Sequence, residues 1–277
     1  MTEPSRATAK SRRRRTGLGL RATMLIVLGP AIWLGWRVHL ARRQHQAVAA
    51  VSAYGGFVRF DWEFVDGKPA PDRSPRAPGW LRRAIGEDYF RDVLEVNMVF
   101  ATDRRPRPDL IPSDSDALMD RFAAFPRLRH LYLSGDLATD RALATIGTLT
   151  SLETLRTWNA RFTDAGLAQA RSLRNLKVLQ LGDTRLGDDA LAHLSSMTRL
   201  EHLDLGGSPI TSAGMAHLEG LKSLKFLAID RTLVSDAGLD QLRGLTNLAE
   251  IRVRGSAITD DGVERFRDAM PRLETVR

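Results

Sequence analysis

The chain has 277 residues, of which 43% are apolar and none is cysteine, so it can build one sizeable core but no disulfide, cysteine-ligated metal site, thiol nucleophile or lipid-modified cysteine. The net charge of +8 comes from residues 1–50, which hold ten Lys or Arg against one acid and leave 31 bases against 32 acids for the rest. Because the excess charge belongs to one end of the chain, the main argument for a nucleic-acid-binding surface is lost, and we expect no nucleic-acid partner.

The first predicted element is a membrane anchor. A basic run, Arg12–Arg15, precedes an apolar stretch at 22–36. With its flanks this stretch has about 19 residues, close to the ~20 that a bilayer core requires. We therefore predict a basic cytoplasmic tail at 1–16 and a transmembrane anchor at 17–37, with a cleaved signal peptide or a buried core helix as the alternatives.

The charges around this stretch predict its orientation. Six Lys or Arg precede it and three follow closely, and the more basic flank stays in the cytoplasm. The small-residue pattern at 47–49 lies ten residues beyond the apolar stretch, which argues against cleavage. The sequence thus predicts a single-pass protein with a cytoplasmic N-terminus and with the rest of the chain outside the cytoplasm.

The next predicted elements are a juxtamembrane helix at 38–53, ended by a glycine pair, and an N-terminal cap. We assign 54–127 to this cap, with a Pro-rich loop and a first degenerate repeat, because the open end of a repeat stack needs an atypical cover. Within it, Phe60, Trp62 and Phe64 alternate with charged residues, a pattern typical of a half-buried strand.

Three further patterns complete the predicted cap. Residues 80–90 can form an amphipathic helix, and Val93, Val96 and Met98 show the alternation of an apolar strand. An insert at 101–113 carries several arginines, and such a cluster favours a solvated loop over a ligand site.

The rest of the chain is repetitive. The pattern L-x-x-L-x-L recurs with a period of 24 residues, starting at Leu128, Leu152, Leu176, Leu200, Leu224 and Leu248. Each copy predicts a short strand with inward-pointing leucines, and parallel strands stacked about 4.8 Å apart build one sheet. We therefore predict an α/β fold in which 128–277 forms a right-handed solenoid, with a parallel sheet on its concave face and short helices on its convex face.

The second half of each repeat predicts a helix. Residues such as Thr211 and Thr259 are good N-caps, and aspartates in the first turn, such as Asp188, complement the helix dipole. A regular column of aspartates could also indicate a metal-binding ladder, but helix capping needs fewer assumptions. Glycines such as Gly214 and Gly262 allow close packing.

These residues carry a resemblance to a known family. The pattern I-T-D-x-G-L, as in Ile258 to Val263, resembles the F-box-protein type of leucine-rich repeat, with Thr or Ser where that family often has Cys. The whole layout, with Gly-Gly-Phe-Val-Arg-Phe-Asp-Trp-Glu at 55–63, is similar to bacterial membrane-anchored repeat proteins abundant in planctomycetes. The resemblance implies a horseshoe used for protein recognition, and it supplies no catalytic residues.

The predicted binding surface is the solvent face of the sheet, to which the third, fifth and seventh positions of each strand point. Exposed Tyr, Trp and Arg are enriched in interface hot spots, so Tyr132, Arg156 and Trp158 form the preferred patch, with packing of Trp158 against the cap or a neighbouring repeat as the alternative. The candidate binding residues are His130, Tyr132, Arg156, Trp158, Gln180, Asp204, Phe226 and Arg252.

Motifs for chemistry are lacking. The six histidines show no metal-ligand spacing, and no nucleophile elbow, zinc-peptidase pair or phosphate-binding loop occurs. We therefore expect no enzymatic activity, no cofactor, no metal site and no small-molecule substrate.

The leading functional hypothesis is a membrane-tethered module that binds a protein partner through the concave face of its repeats. One alternative is a structural envelope scaffold whose repeats self-associate. Another is a soluble cytoplasmic adaptor, in which the basic N-terminal segment does not enter a membrane.

Overall fold

The structure is a computed structural model, and it describes residues 20–65, 68–69, 78–80, 83, 91–99, 115–135, 137–270, 272–273 and 275–276. The predicted basic tail, most of the Pro-rich loop and of the helix at 80–90, and the insert at 101–113 lie outside these residues. Backbone contacts divide the chain into two compact units, residues 1–40 and 41–277.

The described part of the first unit is helical. It belongs to helix α1, Leu20–Ala53, and the side chains of Ile32, Trp33 and Trp36 are exposed. No helix in the described part of the chain combines the length and apolar character needed to cross a membrane. The span predicted at 17–37 falls partly outside that description, since neither residues 17–19 nor the side chains of 20–27 are described.

The second unit is built of short elements in regular succession. Its strands are β1 Phe57–Phe60, β2 Phe64–Val65, β3 Lys68–Pro69, β4 Val93–Met98, β5 His130–Ser134, β6 Thr154–Trp158, β7 Val178–Gln180, β8 His202–Asp204, β9 Phe226–Ala228, β10 Glu250–Arg252 and β11 Thr275–Val276. Its further helices are α2 Ser115–Arg121, α3 Asp140–Ile146, α4 Asp164–Leu167, α5 Asp188–Leu194, α6 Asp236–Gln241 and α7 Asp260–Ala269, and a 3-10 helix at Ser212–Leu218 replaces the α-helix of its repeat.

One sheet runs through this unit in the order β1-β4-β5-β6-β7-β8-β9-β10-β11. Strand β1 is antiparallel to β4, and every later neighbouring pair is parallel. Leu179, Leu203 and Leu227 are direct partners across β7, β8 and β9. The predicted parallel sheet with short helices is therefore confirmed.

The core lies between the sheet and the helices. Leu179 and Leu203 are buried from the strand side, and Leu191 and Met215 are buried from the helix side. Burying one such side chain contributes about 1.5–3 kcal/mol. Part of this burial is supplied by the neighbouring repeats, so no repeat is stable alone.

The N-terminal edge of the sheet is covered by the end of α1. Ala47 and Val51 are buried in the core, and the Gln44 amide donates to the Arg91 carbonyl at 2.8 Å. The helix ends at Ala53, followed by a turn through Gly55 at a φ of 79°. This segment supplies apolar contacts that β1 and β4 could not obtain from a preceding repeat.

The strand predicted from Phe60 to Phe64 is wrong. Strand β1 ends at Phe60, and Asp61–Glu63 form a 3-10 turn before β2 begins. The Glu63 carboxylate accepts a hydrogen bond from the Phe60 N–H at 2.6 Å, and this local bond closes the turn. Alternation of apolar and charged residues does not separate one strand from two short strands joined by such a turn.

Strands β7 to β10 have only three residues each, and the backbone beyond them turns into the left-handed region. Positive φ values of 51, 55, 73, 53 and 72° occur at Asn159, Asp183, Gly207, Arg231 and Gly255. The N–H groups of Asp183, Gly207 and Arg231 donate to carbonyls of the next repeat at 2.6–2.8 Å. In these strands the predicted seventh position therefore lies in a turn.

The aspartate of each helix joins one repeat to the next. The Asp188 carboxylate accepts from the Thr211 N–H at 2.8 Å and from its hydroxyl at 2.6 Å. The same pair of hydrogen bonds links Thr163 to Asp140 and Thr259 to Asp236. The threonines are N-caps, as predicted. The aspartates were predicted only to complement the dipole of their own helix, but they also accept hydrogen bonds from the N-cap of the following repeat.

The motif glycine has a matching role. A Cβ atom on Gly214 or Gly262 would collide with the carboxylate of Asp188 or Asp236, respectively, from the preceding repeat. In the part of the chain that the structure describes, no group of three or more side chains is arranged to hold a metal ion. The aspartate column is thus a ladder of bonds between repeats.

We expect Asp188→Ala to lower the free energy of unfolding by about 2 kcal/mol, because it removes two charge-assisted hydrogen bonds between repeats. Denaturant unfolding followed by circular dichroism measures this change. The matched control is Asp189→Ala, since the neighbouring Asp189 is exposed and its loss should change stability by less than about 0.5 kcal/mol. Equal midpoints for the two variants would contradict the ladder.

Candidate binding surface

The outward side chains of the sheet form two rows, which we call the sheet face. The third-position row contains His130, Thr154, Val178, His202, Phe226 and Glu250. The fifth-position row contains Tyr132, Arg156, Gln180, Asp204, Ala228 and Arg252. Seven of the eight candidate residues lie in these rows, and the eighth, Trp158, ends β6 opposite Ser134 and has a side chain outside the described residues.

The chain itself covers the N-terminal end of the sheet face. The Phe64 ring stacks on His130 with centroids 5.9 Å apart, and His130 Nδ1 lies 3.1 Å from the Thr154 hydroxyl. Burial lowers the pKa of His130 below its usual range, and the positive charges of neighbouring bases oppose its protonation too. His130 is therefore already engaged within the chain.

The next residues along the face contact one another. The Arg156 guanidinium lies 5.7 Å from the centre of the Tyr132 ring, a cation–π geometry. Burial raises the pKa of Tyr132, and the charge of Glu95 raises it further. Glu95 is buried and bonded to Arg59 at 3.3 Å. Sequence reasoning missed these two residues, because they lie on strands outside the regular repeat.

The centre of the sheet face is a groove of about 200 Å³, which we call the central groove. Its walls include two aromatic rings, His202 and Phe226, with centroids 5.8 Å apart, and Arg252 lies 4.9 Å from the Phe226 ring centre. Four candidate residues line the central groove: Arg156, Gln180, Asp204 and Phe226. The other lining residues are Val178, His202 and Leu203.

Asp204 is the acidic group of the central groove. One carboxylate oxygen accepts from the Gly206 N–H at 3.0 Å. Burial raises the pKa of Asp204 above its ordinary value, and the negative charges of Asp230 and Asp183 add to this effect. A Cβ atom on Gly182 or Gly206 would lie 3.5 or 3.3 Å from the same oxygen, so these glycines keep the carboxylate accessible.

A second and larger groove, of about 490 Å³, lies at the edge where the strands begin. Its charges are largely paired with one another: Arg127 with Asp92 at 2.8 Å, and Glu153 with Lys177 at 2.7 Å. Sequence reasoning missed this groove, although the second position of successive repeats alternates between positive and negative charge. These residues are Arg129, Glu153, Lys177, Glu201 and Lys225. Because these charges are satisfied internally, we consider the central groove the better binding site.

Comparisons with known proteins matched solved structures alone. No protein-family model matches the chain, and no curated protein matches it. Solved structures that match include internalin C2 of Listeria monocytogenes, with 24% identity and a TM-score of 0.48, over 57% of this chain and 64% of that one. A second Listeria monocytogenes internalin matches with 17% identity and a TM-score of 0.44, over 57% and 56%. A TDR receptor matches with 19% identity and a TM-score of 0.41, over 57% and 27%.

The repeat itself decides the class. Strands recur every 24 residues, and leucines of successive repeats are partners across one parallel sheet. The chain is a leucine-rich-repeat protein. It spans less than two thirds of each neighbour's length, and all TM-scores are below 0.5. These likenesses therefore say nothing about the partner of this leucine-rich-repeat protein.

We expect Asp204→Asn to stabilise this protein at neutral pH. Because the pKa of Asp204 is raised in the folded state, ionised Asp204 reduces stability. This cost is absent below the unfolded pKa and complete above the folded one. The melting temperature of the variant should therefore exceed that of the wild type near about pH 7, and the two should converge toward about pH 3.

Thermal unfolding across this pH range measures the difference. Glu264→Gln, at an exposed position on α7, provides the control and should track the wild type throughout. A lower melting temperature for Asp204→Asn at neutral pH would mean that the carboxylate stabilises the fold.

Proposed function

We propose that this protein binds a protein partner through the sheet face, with the central groove as the main contact. The observation that carries this proposal is the groove itself, in which charged and aromatic side chains are presented by strands fixed in register. Rigid aromatic and arginine side chains are the groups that dominate interface energetics. Here Phe226 and Arg156 provide them.

The size of the central groove favours a macromolecular partner. Small-molecule sites enclose about 300–1,000 Å³, whereas this groove has about 200 Å³ and opens onto a row of outward side chains. A groove of this size accommodates a side chain or two from a partner that also contacts the surrounding face. The Phe226 ring, flanked by His202 and Arg252, is its apolar wall.

Cross-linking in intact cells tests this function. A photoreactive amino acid at Val178, which lines the groove, should form an adduct with the partner. Adding Phe226→Ala should reduce the adduct by roughly tenfold or more, as expected for a hot-spot residue. The same photoreactive group at Glu264, on the exposed side of α7, serves as the control. Identical adducts from both positions, or no effect of Phe226→Ala, would exclude the sheet face.

We further propose that the protein is tethered to a membrane through 17–37, with its N-terminus in the cytoplasm and the repeats outside it. The support comes from the sequence: an apolar stretch of near-sufficient length and an excess of positive charge before it. Under this arrangement the partner is a protein or another envelope component outside the cytoplasm.

Membrane fractionation with protease treatment of intact cells tests the tether. The wild type should remain with membranes after alkaline washing, and its repeats should be digested from outside. Leu28→Lys combined with Ile32→Lys should release it, since each lysine costs about 2.5–3.5 kcal/mol at the centre of a span. Gln46→Lys, outside the predicted span, is the matched control. Wild-type protein in the soluble fraction would favour a cytoplasmic adaptor.

A further inference from the structure

Charged side chains beside the sheet usually have a partner of opposite sign. Such pairs are Lys177–Glu153, Lys225–Glu201, Arg252–Glu250 and Arg231–Asp183, with closest distances of 2.7, 2.6, 3.5 and 2.9 Å. The two charged side chains that line the central groove are exceptions. Neither Arg156 nor Asp204 forms an ion pair with any residue that the structure describes.

Arg156 is incompletely satisfied. Its Nε atom is buried and has no hydrogen-bond partner. The guanidinium has the face of the Tyr132 ring on one side, and a ring face does not replace a hydrogen-bond acceptor for its N–H groups. Arg156 also lines the central groove without an anionic partner among the described residues, so an incoming carboxylate at this end of the groove would be attracted to its charge.

Asp204 likewise forms no ion pair among the described residues, although the positive charge of Arg252 acts on it. The Gly206 N–H occupies one of its oxygens, and no other hydrogen bond to the carboxylate is present among the described residues. Asp204 lines the central groove, so its carboxylate is approached from there. The charges of Asp230 and Asp183 make the potential at Asp204 more negative and that of Arg252 makes it more positive. With its own charge, Asp204 leaves three acids against one base, so this end of the groove favours a basic group.

The two groups cannot satisfy each other. Arg156, Gln180 and Asp204 are successive partners on β6, β7 and β8, so the backbones that carry the two charges are about 10 Å apart. The uncharged Gln180 side chain lies between them. A single groove therefore presents a positive group and a negative group at a fixed separation, and neither forms an ion pair among the described residues.

We infer that the central groove accepts an extended segment of a protein partner that presents one acidic and one basic side chain two residues apart. In an extended segment such residues lie on the same side, about 7 Å apart, and their flexible side chains span the rest of the distance to Arg156 and Asp204. The methylene groups of these two side chains would contact Val178 and Phe226 in the groove. This inference rests on the proposed function, since it names the chemistry of the partner at the same groove.

Short peptides test the inference directly. The probe is an acetylated and amidated pentapeptide, Thr-Glu-Val-Lys-Thr, with the Gln-Val-Gln, Glu-Val-Gln and Gln-Val-Lys versions as references. Binding to the full-length chain is followed by methyl NMR shifts of Val178 and Leu203, which line the groove. The Glu/Lys peptide should bind at least tenfold more tightly than the Gln/Gln peptide, a difference of about 1.4 kcal/mol.

Paired changes identify the contacts. Arg156→Gln should abolish the advantage of Glu over Gln in the peptide, and Asp204→Asn should abolish the advantage of Lys over Gln. Arg243→Gln, which removes an exposed positive charge paired with Asp240, should leave the ranking of the peptides unchanged. The methyl spectrum of each variant shows whether it is folded.

Two outcomes overturn the inference. One is equal affinity for all four peptides, and the other is no shift for any of them up to about 5 mM, well above a Kd of ~1 mM. If cross-linking through Val178 still depends on Phe226 in cells, the proposed function stands and only the charge pattern of the partner is wrong. If the Glu/Lys peptide binds but no protein is cross-linked, the groove chemistry is right and the proposed function is wrong.

Discussion

Every element of the repeat domain depends on the in-register pairing of leucines from consecutive strands. Leu155, Leu179, Leu203 and Leu227 are partners in one parallel sheet, and each is buried only because a repeat lies on either side of it. On the helix side, the bonds from Asp188 to Thr211 hold the same spacing. Apolar burial fixes the strands, and charge-assisted hydrogen bonds fix the helices at the same period.

Much of this arrangement could be predicted because it is periodic. The 24-residue spacing placed the strands, the outward rows and the capping threonines, and the structure has them there. The reach of Asp188 into the next repeat was not predicted, because dipole complementation already explained an acid at that position. The length of β7 to β10 was also overestimated, because the turns after them form backbone bonds to the next repeat, such as Asp183 N–H to the Gly206 carbonyl, which the pattern within one repeat does not indicate.

Contacts between distant parts of the sequence could not be predicted. Phe64 and His130 lie on strands of different sheets, and no period relates them, yet their rings stack. Glu95 pairs with His130 across β4 and β5, a step of 35 residues where all later steps are 24 or close to it. A local pattern predicts which residues share a strand face, but it does not predict which loop or turn folds back over that face.

The hydrogen bonds of the left-handed turns and of the aspartates share a further property: each joins a repeat to the repeat that follows it in the chain. Asp188 accepts from the repeat that follows, and Gly214 in that repeat makes room for the carboxylate that precedes it. Most units therefore carry an acceptor on one side and, on the other, a glycine that makes room for the acceptor of the preceding unit; Ala190 takes the place of this glycine in one unit. Duplication of one whole 24-residue unit preserves the contacts between neighbouring repeats. Gain or loss of a few residues within a unit disrupts its contacts with both of its neighbours. Whole repeats can thus be added to lengthen the sheet face, whereas other changes in length disrupt the fold.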